Sequence, residues 1–115
     1  MSLPLEGLKV LAFEQYGAGP FGSQYLSDLG AEVIKIEPAG TDGDYLRALG
    51  PYFIDEERNS ASSIFFQALN RNKKSITLNI LSTEGKKILG KLVKTSDAVC
   101  TNLRGDAVSY THLTL

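Results

Sequence analysis

The first 37 residues read strand, helix, strand, and that order restricts the chain to folds built on a parallel sheet. Leu8 to Phe13 (LKVLAF) is a short apolar run with β-branched content, the pattern of a buried strand. Glu14 to Ala18 is a loop, and Pro20 suits the first turn of a helix, where its missing N–H costs nothing. Phe21, Tyr25, Leu26 and Leu29 then fall on one helical face, the apolar stripe of an amphipathic helix. Gly30 is placed to end that helix. Ala31 to Ile36 (AEVIKI) follows as a second strand. Together these segments spell the βαβ unit of a parallel sheet.

The rest of the chain extends the same scheme. Ser75 to Asn79 (SITLN) and Ala98 to Thr101 (AVCT) predict a third and a fourth strand. Between them, Ser82 or Thr83 caps a helix over 83–95 whose apolar stripe is Ile88, Leu89, Leu92 and Val93. Lys86, Lys87, Lys91 and Lys94 form its solvated face. Glu37 to Ser63, rich in Pro, Gly and charged residues, reads as a long surface loop, with a short helix at Asp44 to Leu49. One or two helical turns follow over Ser63 to Leu69. The expected fold is α/β, an open Rossmann-like parallel sheet. Such sheets bind ligands outside the carboxyl ends of their strands. That rule selects Glu14 to Pro20, Glu37 to Asp44, Asn79 to Ser82 and Asn102 to Gly105.

Charge and composition exclude several partners. Twelve Lys and Arg stand against 13 Asp and Glu, a net charge of −1, so no basic field favours nucleic acid or an anionic membrane. No apolar run approaches the roughly 20 residues of a membrane span, and no signal peptide is visible. The single cysteine, Cys100, cannot form an internal disulfide, is expected mid-strand as an inert core residue, and fits a cytoplasmic chain.

The loudest motif is Gly17-Ala18-Gly19-Pro20-Phe21-Gly22, which satisfies G-x-G-x-x-G between a strand and a helix. Glu37 follows at the distance of a ribose-binding acid, so an NAD- or FAD-binding domain of an oxidoreductase is one reading. Glu14, Gln15 and Tyr16 intervene between strand and first glycine, where the fingerprint places its turn almost directly after the strand. The plainer reading is that these glycines permit a tight turn and close helix packing. A non-catalytic binding domain is a third possibility.

Three longer phrases go further: PLEGLKVLAFEQYGAGPFGSQYLSDLGAEVIKIEPAGTDGDYLR, FFQALNRNKKSITLNI and TEGKKILGKLVKTSDAVCTNLRG. In order and spacing they resemble the family III CoA-transferases, the group of formyl-CoA transferase, carnitine CoA-transferase and alpha-methylacyl-CoA racemase. The matching residues are Gly19-Pro20, Lys35-Ile36-Glu37, the set Asn70, Lys73, Ser75, Ile76 and Leu78, and Asn102, Leu103, Arg104 and Gly105. Leu103 stands where an aromatic is common, and the proline usual before the glycine is missing. The resemblance implies that residues 1–106 are the N-terminal portion of the family's large domain. Residues 107–115 depart from the family pattern, as at a lost reading frame, and take the only histidine, His112, with them.

The activity so implied is transfer of CoA from an acyl-CoA donor to a carboxylic acid acceptor. An aspartyl mixed anhydride and an enzyme-bound CoA thioester are the intermediates. Acyl-CoA racemisation is the alternative within the family. The catalytic aspartate lies downstream of the matched region, so no catalytic residue is assigned here and the chain alone is expected to be inactive. Coenzyme A or its acyl thioester is then a substrate, with no tightly bound cofactor and no metal. By resemblance, Gly17 and Ala18 approach the thioester end, Leu78 and Asn79 pack near the nucleotide, and Asn102, Leu103 and Arg104 line the same crevice. Arg104 is the phosphate candidate, because a guanidinium matches phosphate geometry. The family also implies an interlocked homodimer of the full-length enzyme.

Overall fold

A computed structural model of the 115-residue chain describes residues 2–55 and 63–104. Its strands are β1 (Lys9–Phe13), β2 (Glu32–Pro38), β3 (Lys74–Leu78) and β4 (Ala98–Thr101). Its helices are α1 (Ala18–Asp28), α2 (Ile64–Asn70) and α3 (Thr83–Lys94), with a short 3-10 helix at Tyr45–Ala48. The strands pair in the order β3-β2-β1-β4, and all three pairings are parallel. Each expected strand is present within two residues of its predicted ends, and the open parallel α/β sheet is confirmed.

Alternation along the central strands sorts their side chains onto two faces. Leu11, Phe13, Ile34 and Ile36 point to the side covered by α3, whose Leu89 completes that core, with Leu92 and Val93 packed against it. Val10, Ala12 and Val33 point to the other side, where Leu5, Leu26 and Cys100 meet them. β1 and β2 are buried on both faces, as parallel strands are. Ser82 caps α3, its Oγ accepting from the Gly85 amide at 2.9 Å. Ile88, expected in the α3 stripe, is instead exposed, whereas the four lysines lie in water as expected.

Two expectations need correction. Helix α1 turns most of its expected apolar stripe outward: Phe21, Tyr25 and Leu29 are exposed and only Leu26 of the four packs inward, while Ser23, Gln24 and Ser27 are buried. The cause lies in the sheet beneath. Glu14, Lys35 and Glu37 emerge on that face, and buried charges require polar partners. The segment after β2 is also not all surface. Asp44, Leu46 and Ser63 are fully buried, and the Asp44 carboxylate caps the 3-10 helix by accepting from the Leu46 amide at 3.0 Å. α1 begins at Ala18, ahead of Pro20, and Gly30 lies just past its end with φ +106°, the left-handed geometry expected of a helix-ending glycine. Among the described residues no helix is long and apolar enough to cross a membrane. The expected departure of residues 107–115 from the family pattern falls outside the described residues.

Candidate functional site

A cleft of about 590 Å³ opens at the carboxyl ends of β1, β2 and β3, where an open parallel sheet is expected to bind. Phe13, Ile36, Pro38, Leu78, Ile80 and Leu103 give it an apolar wall, with Gln15 and Asn79 among its polar lining. A cleft of that size with few polar groups suits a flat apolar moiety such as a nucleobase. Its floor is shaped by the turn after β3. The Asn79 side chain accepts from the Leu81 amide at 3.1 Å, and its carbonyl accepts from Ser82 Oγ at 2.9 Å.

Beside the cleft, the loop joining β1 to α1 is held from both flanks. The Asn102 carboxamide, just past β4, accepts from the Gln15 amide at 3.1 Å and donates to the Gln15 carbonyl at 3.0 Å. From the other flank, Asp44 Oδ1 accepts from the Tyr16 amide at 3.3 Å. Tyr16 sits in the left-handed region at φ 63°, a conformation few non-glycine residues adopt. Its ring stacks on Tyr45 at 5.5 Å between centroids, 8° from parallel. Gly19 lies directly against this bracket: a Cβ there would come 2.6 Å from Asn102 Oδ1 and 2.8 Å from Glu14 Cβ. No side chain caps the α1 N-terminus, which begins at the end of this loop.

Under the loop, on the α1 and α2 side of the sheet, three carboxylates meet three cations in a buried network. Lys35 Nζ lies 2.8 Å from Asp44 Oδ2 and 3.7 Å from Glu14 Oε1, and donates to Asn70 Oδ1 at 3.0 Å. Lys73 Nζ donates to Glu14 Oε1 at 2.8 Å and to the Pro20 and Leu69 carbonyls at 2.9 Å. Ser23 Oγ adds contacts of 2.8 and 2.7 Å to the two Glu14 oxygens. Burial pushes the Lys73 ammonium below the usual lysine pKa, against the pull of Glu14. Arg47 grips Glu37 with Nε and Nη2 at 3.0 and 2.7 Å, and Ser75 Oγ donates to the same carboxylate at 2.7 Å.

Glu37 also gives the site its acid sensitivity. Burial alone would raise its pKa, but Arg47, Ser75 and the Asp44 amide outweigh burial and hold it below the usual carboxylate value. A depressed folded pKa supplies stability that is complete above the unfolded value of about 4.3 and is lost as pH falls through the folded pKa. Thermal unfolding temperature should therefore hold from pH 7 to about 5 and drop below about 4. Exposed Asp28 and half-buried Glu32, depressed by Arg71 and Lys74, share that acid limb. In Glu37→Gln the limb should be shallower; an acid limb identical to wild type would show that Glu37 is not coupled to folding.

The structure brings some of the sequence-selected residues together and leaves others apart. Leu78, Asn79 and Leu103 line the cleft. Gly17 and Ala18 lie at the α1 N-terminus beside it, Asn102 faces the loop, and exposed Arg104 follows Leu103. Glu37, weighed for a ribose role, borders the cleft, but its carboxylate already accepts from Arg47 and Ser75. Gly22, the last glycine of the fingerprint, has nothing within 4 Å of its would-be Cβ, so it marks no close helix–strand approach. Cys100 is half-buried, and burial pushes its thiol pKa up, as suits an unreactive side chain. Sequence reasoning missed Glu14 and Asp44, the two carboxylates that organise the network. The available signal was Lys35, a cation in a strand buried on both faces, which requires an acid nearby.

Comparison with known proteins places this geometry. A family model described as CoA-transferase family III matches residues 5–114. The chain is 38% identical over 108 residues to the succinate–glutarate CoA-transferase of Agrobacterium fabrum, covering 92% of this chain and 26% of that protein. It is 44% identical over 99 residues to the human succinyl-CoA:glutarate CoA-transferase, covering 86% of this chain and 21% of that protein. The solved structure of a CAIB/BAIF family protein from Brucella suis superposes with a TM-score of 0.86 at 39% identity, covering 100% of this chain and 30% of the other. The chain thus spans about a quarter of the length of these curated relatives.

Proposed function

Because the chain belongs to CoA-transferase family III, we propose that it is the N-terminal, CoA-binding portion of an enzyme that moves CoA from an acyl-CoA donor to a carboxylic acid acceptor. The observation that carries this reading is the apolar cleft at the carboxyl ends of β1 to β3, lined by Leu78, Asn79 and Leu103. CoA is a 3′-phosphorylated ADP joined to pantetheine. Its adenine fits the apolar wall, its phosphates require cations or N–H donors, and its thiol arm requires a narrow path toward the reacting carboxylate. Arg104 is the phosphate ligand in this reading, and Gly17 and Ala18 lie toward the thioester.

The attacking carboxylate belongs to a later part of the full-length enzyme. Asp28, Asp44 and Asp97 each serve the fold: Asp28 binds Arg71, Asp44 binds Lys35, and Asp97 accepts from the Lys9 amide. In this reading the 115-residue chain is inactive alone, and the full-length enzyme is a cytoplasmic, interlocked homodimer with no tightly bound cofactor.

In the full-length protein, calorimetry should show CoA binding and no NAD or FAD binding; tight NAD binding without CoA binding would overturn the reading. Arg104→Ala should weaken CoA about tenfold to a hundredfold, the equivalent of a lost charge-assisted hydrogen bond of about 1.5–3 kcal/mol. An unchanged CoA affinity would return Arg104 to a solvent-facing role.

A further inference from the structure

We infer that Asn102 is a positioning residue, which fixes the reactive-end loop Gln15–Gly17 while making no essential contact with CoA itself. Its carboxamide spends one donor and its acceptor on the backbone of a single residue, receiving from the Gln15 amide at 3.1 Å and giving to the Gln15 carbonyl at 3.0 Å. This two-point bracket sets both the place and the rotation of the peptide units around Gln15. The next amide along the loop, that of Tyr16, is taken by Asp44. Asp44 is itself fixed by the fully buried Lys35 ammonium 2.8 Å from its other oxygen. The loop is thus tied on one flank to the end of β4 and on the other to the segment after β2.

The left-handed Tyr16 and the side-chain-free Gly19 are what this arrangement requires. A φ of 63° at Tyr16 persists only where the surroundings over-determine it, and Asp44 and the Tyr45 ring provide that. Gly19 has no Cβ because the Asn102 carboxamide occupies the place where one would stand. The consequence is that Gly17 and Ala18 reach the start of α1 in one conformation. A reacting group aligned by that conformation loses rate when the loop moves, even where CoA still binds along the apolar wall of the cleft, which Phe13, Ile36, Leu78 and Leu103 form independently of the loop's rotation.

The kinetic form of this inference rests on the CoA-transfer reading. In the full-length enzyme, Asn102→Ala should lower kcat about tenfold to a hundredfold, the scale of an ångström-sized misplacement, with KM for the CoA thioester changed less than about threefold. Gly19→Ala should lower kcat at least as far while leaving Asn102 in the chain, because its methyl meets the carboxamide and, at 2.8 Å, the buried Glu14 Cβ as well. Arg104→Ala, in the same turn, should show the reverse, raising KM with little change in kcat.

A second readout needs no catalysis. By amide hydrogen exchange, Asn102→Ala should speed exchange at Gln15 and leave the Leu11 and Ala12 amides of β1 as protected as in wild type. A raised KM with unchanged kcat, or loss of protection throughout β1, would overturn the inference, the first showing a direct CoA contact and the second a general structural role. If the wild-type enzyme moves no CoA, the proposed function fails and the exchange result alone decides the role of Asn102.

Discussion

Lys35→Met should remove about 3–5 kcal/mol of folding stability, because it leaves a buried carboxylate without its charge partner. Lys35 is 1% exposed and its ammonium sits 2.8 Å from Asp44 Oδ2, an oxygen with no other hydrogen-bond partner. Glu14 survives the change, since Lys73 remains 2.8 Å away. Asp44 does not. Small domains hold only about 5–15 kcal/mol in total, so the loss is a large share of what keeps the sheet folded. Adding Asp44→Asn should recover much of it, because the amide oxygen can still accept from Tyr16 and Leu46 without carrying charge. Urea unfolding of wild type, single and double variants measures both effects. A Lys35→Met loss below about 1 kcal/mol, the scale of an exposed pair, would show that the network is solvated and contributes little.

Gly85→Ala should also destabilise, against its helix propensity. Alanine in a helix interior is favoured over glycine by about 1 kcal/mol. Gly85, however, stands in the first turn of α3, where the Asn79 carbonyl lies against its Cα and would collide with any Cβ. The obstacle is backbone, which cannot rotate away as a side chain would. Relief requires displacement of the 79–82 turn, with loss of the Ser82 hydroxyl's bridge between Asn79 and the Gly85 amide. Overpacking of this kind costs about 1–3 kcal/mol. The denaturant midpoint should fall and the cleft, which that turn lines, should lose its shape. A midpoint that rises would mean that propensity wins and the turn has room.

The framework was legible wherever local apolar pattern and turn chemistry agree. LKVLAF, the Gly30 stop and the Ser82 cap each carry their own physical signal, and β1, α1, β2 and α3 appear where those signals fall. The facing of α1 was not legible from its own residues. Phe21, Tyr25 and Leu29 form a convincing apolar stripe, yet Ser23, Gln24 and Ser27 face inward. The rule that apolar residues face the core assumes an apolar core, and here the sheet offers Glu14, Lys35 and Glu37. Read jointly, the strands and the helix carry the answer: a parallel strand is buried on both faces, so Lys35 and Glu37 needed polar partners from the elements above. The resemblance had already selected Lys35, Glu37, Asn70, Lys73 and Ser75, and the structure gives them a shared physical reason, since all five belong to this network. Asn102 was selected for the crevice and found holding the loop, a distinction that depends on a pair of hydrogen bonds spanning 87 residues and lies beyond any local pattern.

The order of strands has a consequence for the timing of synthesis. β1 is central, flanked by β2 from its own βαβ unit and by β4, whose approach is closed by Lys9 and Asp97, 88 residues apart. On a ribosome, β1, α1 and β2 emerge early and can pair while the rest is still being made. The other edge of β1 must then wait, its N–H and C=O groups unpaired, until β4 leaves the exit tunnel. Closing so long a loop costs entropy that only the finished sheet repays. Over that interval the nascent chain presents a ready template for a wrong strand, and the tight local features early in the sequence, the Gly30 stop and the short β1-to-α1 connection, act before any partner for that edge exists.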